Sequence, residues 1–210
     1  MRTRELQTEI AERFKRETAG HQMTVLHDDG LYRHLRFMNP EHGSIYHFDL
    51  ITWPGCLTIR GDIKEAYTFV RLRDMFEFFR GHEINPDYWS EKLDGDRRRV
   101  ETYDQDSFER QVKEHVAEAI RSGDAPRGIG AEIAREIFEW GDITHEDGAH
   151  KELENFSYEG WTFGETWEWS FRNWDWAFLW ACQAIVWGIA QYDARPRPWW
   201  KRLARRGGAS

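Results

Sequence analysis

Hydrophobic spacing divides the chain into a helical start, a β-rich stretch and a longer helical remainder. Leu6, Ile10 and Phe14 recur at intervals of four among charged residues, which predicts one amphipathic helix over 4–18, stopped at Gly20. The spacing then shortens. Segments 31–38, 45–52, 56–60 and 67–70 are rich in aromatic and β-branched residues. Each is bounded by turn residues: Asp-Asp-Gly at 28–30, Asn-Pro-Glu-His-Gly at 39–43, Trp-Pro-Gly at 53–55 and Gly-Asp at 61–62. Pro54 and Gly55 suit the two central positions of a type II turn. Connections this short cannot make parallel crossovers, so the strands are predicted to form an antiparallel meander, with 23–27 as an added edge strand.

Helical spacing returns after Arg71. Met75, Phe76, Phe78 and Phe79 mark a helix over 73–80, and Asn85-Pro86-Asp87-Tyr88-Trp89 reads as a helical turn. Phe108, Val112, Val116 and Ile120 lie four apart on a helix that Asp106 could cap. Ile133, Ile137 and Phe138 predict another over 131–140. Trp167, Trp169 and Phe171 alternate with polar residues, which predicts a late strand over 166–172. The chain then gives an apolar helix over 175–192. The expected fold is α+β: an antiparallel meander of four to five strands covered by helices, with a buried apolar C-terminal helix. Three parts are expected: an N-terminal helix (1–20), a single α+β domain (21–194) and a basic flexible tail (195–210).

Composition narrows the class. Charged residues make 31% of the 210, which argues against an integral membrane protein, and 12 Trp, 13 Phe and 7 Tyr argue against general disorder. The apolar run 176–192 is short of a membrane span and is interrupted by Gln183 and Gln191. No signal peptide is read at the start, and the two cysteines, Cys56 and Cys182, cannot make a disulfide framework, so a reducing cytoplasm is expected.

The net charge of −8 is unevenly spread. Residues 131–170 carry eleven Asp/Glu against Arg135 and Lys151, whereas 195–210 carries six Lys/Arg and no acid. An acidic body repels phosphate, so direct nucleic-acid binding is expected only through the tail. Nine of the twelve tryptophans lie between Trp161 and Trp200, beginning inside the acidic stretch. Packing accounts for most of them; the remainder suits an aromatic interface rimmed by carboxylates.

No metal and no cofactor is expected. His145-Glu-Asp-Gly-Ala-His150 spaces its histidines at i+5, about 140° apart on a helix instead of on one face, and reads as a solvated acidic loop. His27, Asp28, Asp29, His47 and Asp49 are the candidate catalytic set, because strand histidines beside carboxylates can act as general bases. Tyr46, Phe48 and Leu50 would occupy the opposite face of their strand, which leaves His47 and Asp49 towards solvent. Cys56 and Cys182 read as core thiols.

Several stretches together resemble a family of proteins from bacterial phages and prophages. They are His27-Asp-Asp-Gly-Leu-Tyr-Arg-His-Leu-Arg-Phe37, Tyr46-His-Phe-Asp-Leu-Ile-Thr-Trp-Pro-Gly55, Ile59-Arg-Gly-Asp62, Asp74-Met-Phe-Glu-Phe-Phe79, Ile84-Asn-Pro-Asp-Tyr-Trp-Ser-Glu-Lys-Leu93 and Trp187-Gly-Ile-Ala-Gln-Tyr-Asp193. The pattern covers most of 20–194 and carries no established catalytic residue. The resemblance implies an accessory protein of the bacterial cytoplasm that binds and inhibits a host defence or nucleic-acid-handling complex, of the anti-CRISPR type. Its partner would be a host protein or ribonucleoprotein. The expected contact residues are Glu152, Glu154, Glu159, Trp161, Glu165 and Trp167, with carboxylates standing in for phosphates. Two alternatives are a small hydrolase using the His/Asp set, and a nucleic-acid-binding module using Arg97, Arg98, Arg99, Lys201, Arg202, Arg205 and Arg206. The binding function is placed ahead of the enzymatic one.

Overall fold

The computed structural model describes residues 2–81 and 83–196. The basic residues Lys201, Arg202, Arg205 and Arg206 lie outside the described residues. Contacts divide the chain into two compact units, residues 2–100 with 175–196 and residues 101–174, so the division runs inside the 21–194 segment. Among the described residues no helix is long and apolar enough to cross a membrane.

The first unit holds a five-stranded antiparallel sheet in the order β1-β2-β3-β4-β5. Its strands are β1 (Gln22–Asp29), β2 (Tyr32–Asn39), β3 (Gly43–Trp53), β4 (Cys56–Gly61) and β5 (Tyr67–Val70). Strand-to-strand order follows chain order because every connection is short, from two residues at 30–31 and 54–55 to five at 62–66. At the β3–β4 turn Trp53 faces Cys56, and Gly55 takes the positive φ of 87° that the turn requires. Period-2 alternation sends Leu35, Phe37, Phe48, Leu50, Leu57, Ile59, Tyr67 and Phe69 to one face, where all are buried.

Helix α1 (Arg2–Glu17) and the C-terminal helix α7 (Trp176–Ala194) belong to this unit. α7 is apolar nearly all round, as a helix at the centre of a core should be. Phe48 meets Trp180 with ring centres 5.6 Å apart, Phe37 meets Trp187 at 5.5 Å, and Tyr67 and Phe69 both meet Phe178. Gly188 permits the close approach: a Cβ there would sit 2.7 Å from Leu50 Cδ1 and 3.0 Å from Phe37 Cζ. Two short helices follow the sheet. Asp74 caps α2 (Met75–Phe79) by accepting from the Phe76 N–H, and Asn85 caps α3 (Pro86–Ser90) from the Tyr88 N–H. Arg195, expected at the head of a loose tail, donates to Asp28 at 2.6 Å and covers the Tyr192 ring at 3.4 Å.

The second unit is mainly helical: α4 (Gln105–Ser122), α5 (Ile129–Ile133) and α6 (Glu146–Asn155), closed by a short antiparallel pair of β6 (Glu101–Tyr103) and β7 (Arg172–Trp174). Its core contains Phe108, Val112 and Val116 of α4 with Ile129, Ile133, Leu153 and Phe171. The second unit departs from the sequence expectations at five points. The stripe on α4 ends at Val116, because Ile120 is largely exposed, and α4 begins after Asp104 with Asp106 already in its first turn. The 131–140 segment changes at Ala134 into a π-helix over Ala134–Glu139, where the Trp140 N–H reaches back to the Arg135 carbonyl. Residues 145–150 are no loop: they start α6 and bury Gly148 and Ala149, because Gly148 sits too near the Asp142 carbonyl for any side chain. The late strand shrinks to 172–174, since Thr166–Glu168 turns as a 3₁₀ helix.

Candidate functional site

The β-sheet does not gather the His/Asp set. The register pairs Asp28 with Arg33 and places both on the α7 side, where Asp28 accepts from the Tyr192 hydroxyl at 2.8 Å. His27 and Asp29, its chain neighbours, therefore turn to the opposite face and are exposed. Asp49 also lies on that outer face, paired across the strands with Arg36. His47 spends Nδ1 on the Ser44 carbonyl at 2.7 Å. Split over two faces, the five residues share no cleft, and among the described residues no group of three His, Cys, Asp or Glu could hold a metal.

The outer face is nevertheless not plain solvent at Asp49. Asp49 is 2% exposed, and Arg36 holds its carboxylate with two hydrogen bonds at 2.8 and 2.9 Å. His34 Nε2 lies 3.1 Å from Asp49 Oδ2 without the alignment of a true hydrogen bond. Cross-strand pairing was the available signal, since Arg36 and Asp49 meet only once the 2–3 register is known. Arg33 makes a similar fork on Asp74, at 2.8 and 2.9 Å.

These pairs give the first unit a definite pH response. Burial alone would raise the Asp49 carboxyl, but Arg36 and His34 outweigh it and hold it below the ordinary range. Asp74 behaves alike: burial raises it, and Arg33 with the Phe76 N–H brings it below. Burial pushes the His21 imidazole down, despite its contact with the Tyr46 carbonyl. All three groups bind protons more readily when unfolded, so their contribution is present at neutral pH and lost as pH falls. The His21 part goes from about pH 6.5 downward and the carboxylate part below about pH 4. Guanidinium unfolding at a series of pH values should show a level midpoint above pH 7 and a steady fall below it. The double variant Asp49→Asn, Asp74→Asn should flatten the acid end. A midpoint that holds or rises on acidification contradicts this assignment.

The acidic, aromatic segment is better organised. Tyr158 and Trp161 exchange backbone hydrogen bonds at 3.1 and 2.9 Å around Glu159 and Gly160, whose φ values are 49° and 80°. Two successive positive φ values make a type I′ turn, which favours Asn or Gly at the position Glu159 occupies. Glu165 is also left-handed, at φ 52°, just before the 3₁₀ turn. Two of the three non-glycine residues with positive φ among those described are thus carboxylates of this segment, at sites costing on the order of 1 kcal/mol each.

Both turns rest on one aromatic cluster. Phe163 contacts Trp161 at 4.9 Å and Trp169 at 5.9 Å, and Trp161 also meets Phe156 beyond the end of α6. His115 of α4 stands against Trp161, Phe163 and Trp169. It had no motif to mark it, although it lies three residues after Val112 on the same helix face. Trp161 is half-buried in the cluster, while Trp167 is 73% exposed between Glu165 and Glu168. Glu154 and Glu159 are exposed as well. Glu152 is occupied with the fold, accepting from the Asp142 N–H at 3.1 Å. The site that results is an exposed tryptophan and four free-standing carboxylates, Glu154, Glu159, Glu165 and Glu168, on the loops and helix end around a packed aromatic base.

The arginine set disperses. Arg97 reaches Asp87 at 3.1 Å and Arg99 reaches Glu65 at 2.9 Å, which leaves Arg98 of the three described. No protein-family model, no curated protein and no solved structure matches the chain.

Proposed function

We propose that the protein works by binding: it is an accessory protein, of the phage-encoded kind its sequence resembles, that inhibits a host defence or nucleic-acid-handling complex. The observation that carries this reading is Trp167, a largely exposed indole set between Glu165 and Glu168 beside a packed aromatic cluster. Burying such a ring on a partner contributes roughly 1.5–3 kcal/mol, a contribution folding leaves unused. Carboxylates around it favour a basic surface, such as one that ordinarily holds phosphate. The strained backbone at Glu159 and Glu165 supports the same reading, since strain persists where a side chain must be aimed.

The test is affinity capture from nuclease-treated bacterial lysate, with duplex DNA as competitor. The full chain should retain a basic complex that DNA displaces. Trp167→Ala, and separately Glu159→Lys with Glu165→Lys, should each reduce retention at least tenfold. Glu152 is left intact because its loss would disturb the turn at Asp142. Retention unaffected by these changes, or by DNA, defeats the proposal.

A further inference from the structure

The first unit also carries a groove. It has a volume of about 1340 Å³ and runs between the first turns of α1, Leu72, α2 and the 83–89 segment. Small-molecule sites usually occupy roughly 300–1000 Å³, so the opening suits a length of peptide better. Its floor is apolar, with Phe78 and Trp89 buried. Its walls present Leu72 and Tyr88 at 44% and 42% exposure. Asn85 and Pro86 fix α3 at its first turn, which sets the position of Tyr88.

The rim is acidic. Glu5, Glu77, Glu83 and Asp87 line the groove against one lining cation, Arg4. Arg80 reaches Glu77 and Arg97 reaches Asp87, but the acids in both pairs are well exposed, and such pairs exchange readily for another cation. Glu5 and Glu83 have no ion partner among the described residues. Tyr88 already accepts a cation over its ring, Lys92 Nζ at 4.4 Å.

We propose that this groove docks a short basic peptide segment of a partner protein. An apolar or aromatic side chain of the peptide sits between Leu72, Phe78 and Tyr88, and its Lys or Arg residues face Glu5 and Glu83. Apolar seating gives affinity and the rim selects charge. This docking is independent of the surface around Trp167, and a separate set of variants tests it.

The probe is a fluorescein-labelled octapeptide, Gly-Lys-Arg-Leu-Trp-Lys-Arg-Gly, titrated with the full chain and read by anisotropy. Saturable binding is expected. A peptide with Glu at every basic position, and one with Ser for Leu and Trp, should each bind at least tenfold more weakly. Leu72→Asp and Glu83→Lys, both at exposed positions, should weaken binding of the basic peptide at least tenfold with an unchanged circular dichroism spectrum. Trp167→Ala should bind it like the parent chain. No saturable binding, equal binding of the acidic peptide, or indifference to Leu72→Asp and Glu83→Lys overturns the proposal; so does loss in Trp167→Ala, which would place the peptide on the other surface. Residues 197–210 contain five Lys/Arg and the pair Trp199-Trp200, the same chemistry within this chain. If a chain cut after Pro196 binds the peptide ten times more tightly than the full chain, the groove belongs to that segment and the partner docking fails.

Discussion

Replacing Trp180 with Ala is expected to destabilise the first unit by about 3–5 kcal/mol, close to the whole stability of many domains. Trp180 is 1% exposed and joins three elements. Its ring stands edge-on to Phe14 of α1, at 5.1 Å between centres, and to Phe48 of β3. Its indole N–H donates to Glu17 at 2.8 Å, and the other oxygen of that carboxylate accepts from Arg13. Alanine removes the ring from the seam of α1, α7 and the sheet and leaves a largely buried carboxylate one donor short. Trp180→Phe keeps most of the apolar contact and loses the hydrogen bond, so it should fall between the two. Guanidinium unfolding followed by circular dichroism orders the three proteins. A Trp180→Ala midpoint within about 1 kcal/mol of the parent would show that α7 is not the centre of this core.

Legibility in the sequence followed the range of the interactions involved. The five strands were readable because their connections are local: Asp-Asp-Gly, Trp-Pro-Gly and Gly-Asp each mark the end of one strand, and the next begins within a few residues. The apolar α7 was readable for the same reason, its composition needing no partner to declare it. The second unit was harder because its irregularities answer to packing. Trp167, Trp169 and Phe171 alternate like a strand, yet Phe163, Thr166 and Phe171 are the ones drawn inward, and a 3₁₀ turn is what satisfies all three. Gly148 inside 145–150 looked like a loop residue; it is a helix residue that the Asp142 carbonyl approaches too closely for a side chain.

The same distinction separates the candidate sites. The His/Asp set was assembled from residues adjacent in sequence, and adjacency in a strand means opposite faces. Asp28 and Asp29 cannot serve one cleft from one extended strand, whichever catalytic role they are given. In the acidic, aromatic segment Glu159, Glu165 and Trp167 lie on turns, whereas Glu152 and Glu154 belong to α6. Its refinement came from burial. Glu152 and Trp161 are committed to the fold, Trp167 is not, and Glu168 takes its place beside Trp167, a carboxylate that charge counting alone did not single out.

Asp175→Ala should be the second large loss, about 2–3 kcal/mol, larger than a helix cap ordinarily gives. The residue is 3% exposed, and its carboxylate has two separate duties. One oxygen accepts from the Ala177 N–H at 2.8 Å and caps α7, whose first turn carries no other acid to meet the helix dipole. The other oxygen accepts from Lys64 Nζ at 2.5 Å. Alanine leaves the N-terminal amides of the core helix without their acceptor in a place water reaches poorly, and that adds to the ordinary cost of a lost cap. Lys64 is half exposed and returns to solvent, so its share is the smaller one. Lys64→Met should therefore cost well under about 1 kcal/mol, and Asp175→Asn, which keeps an acceptor for Ala177 and gives up the charge, should fall between it and Asp175→Ala. A double-mutant cycle between Asp175→Asn and Lys64→Met isolates the pair. If Lys64→Met alone matched Asp175→Ala, the ion pair and not the cap would be what holds α7 at its first turn.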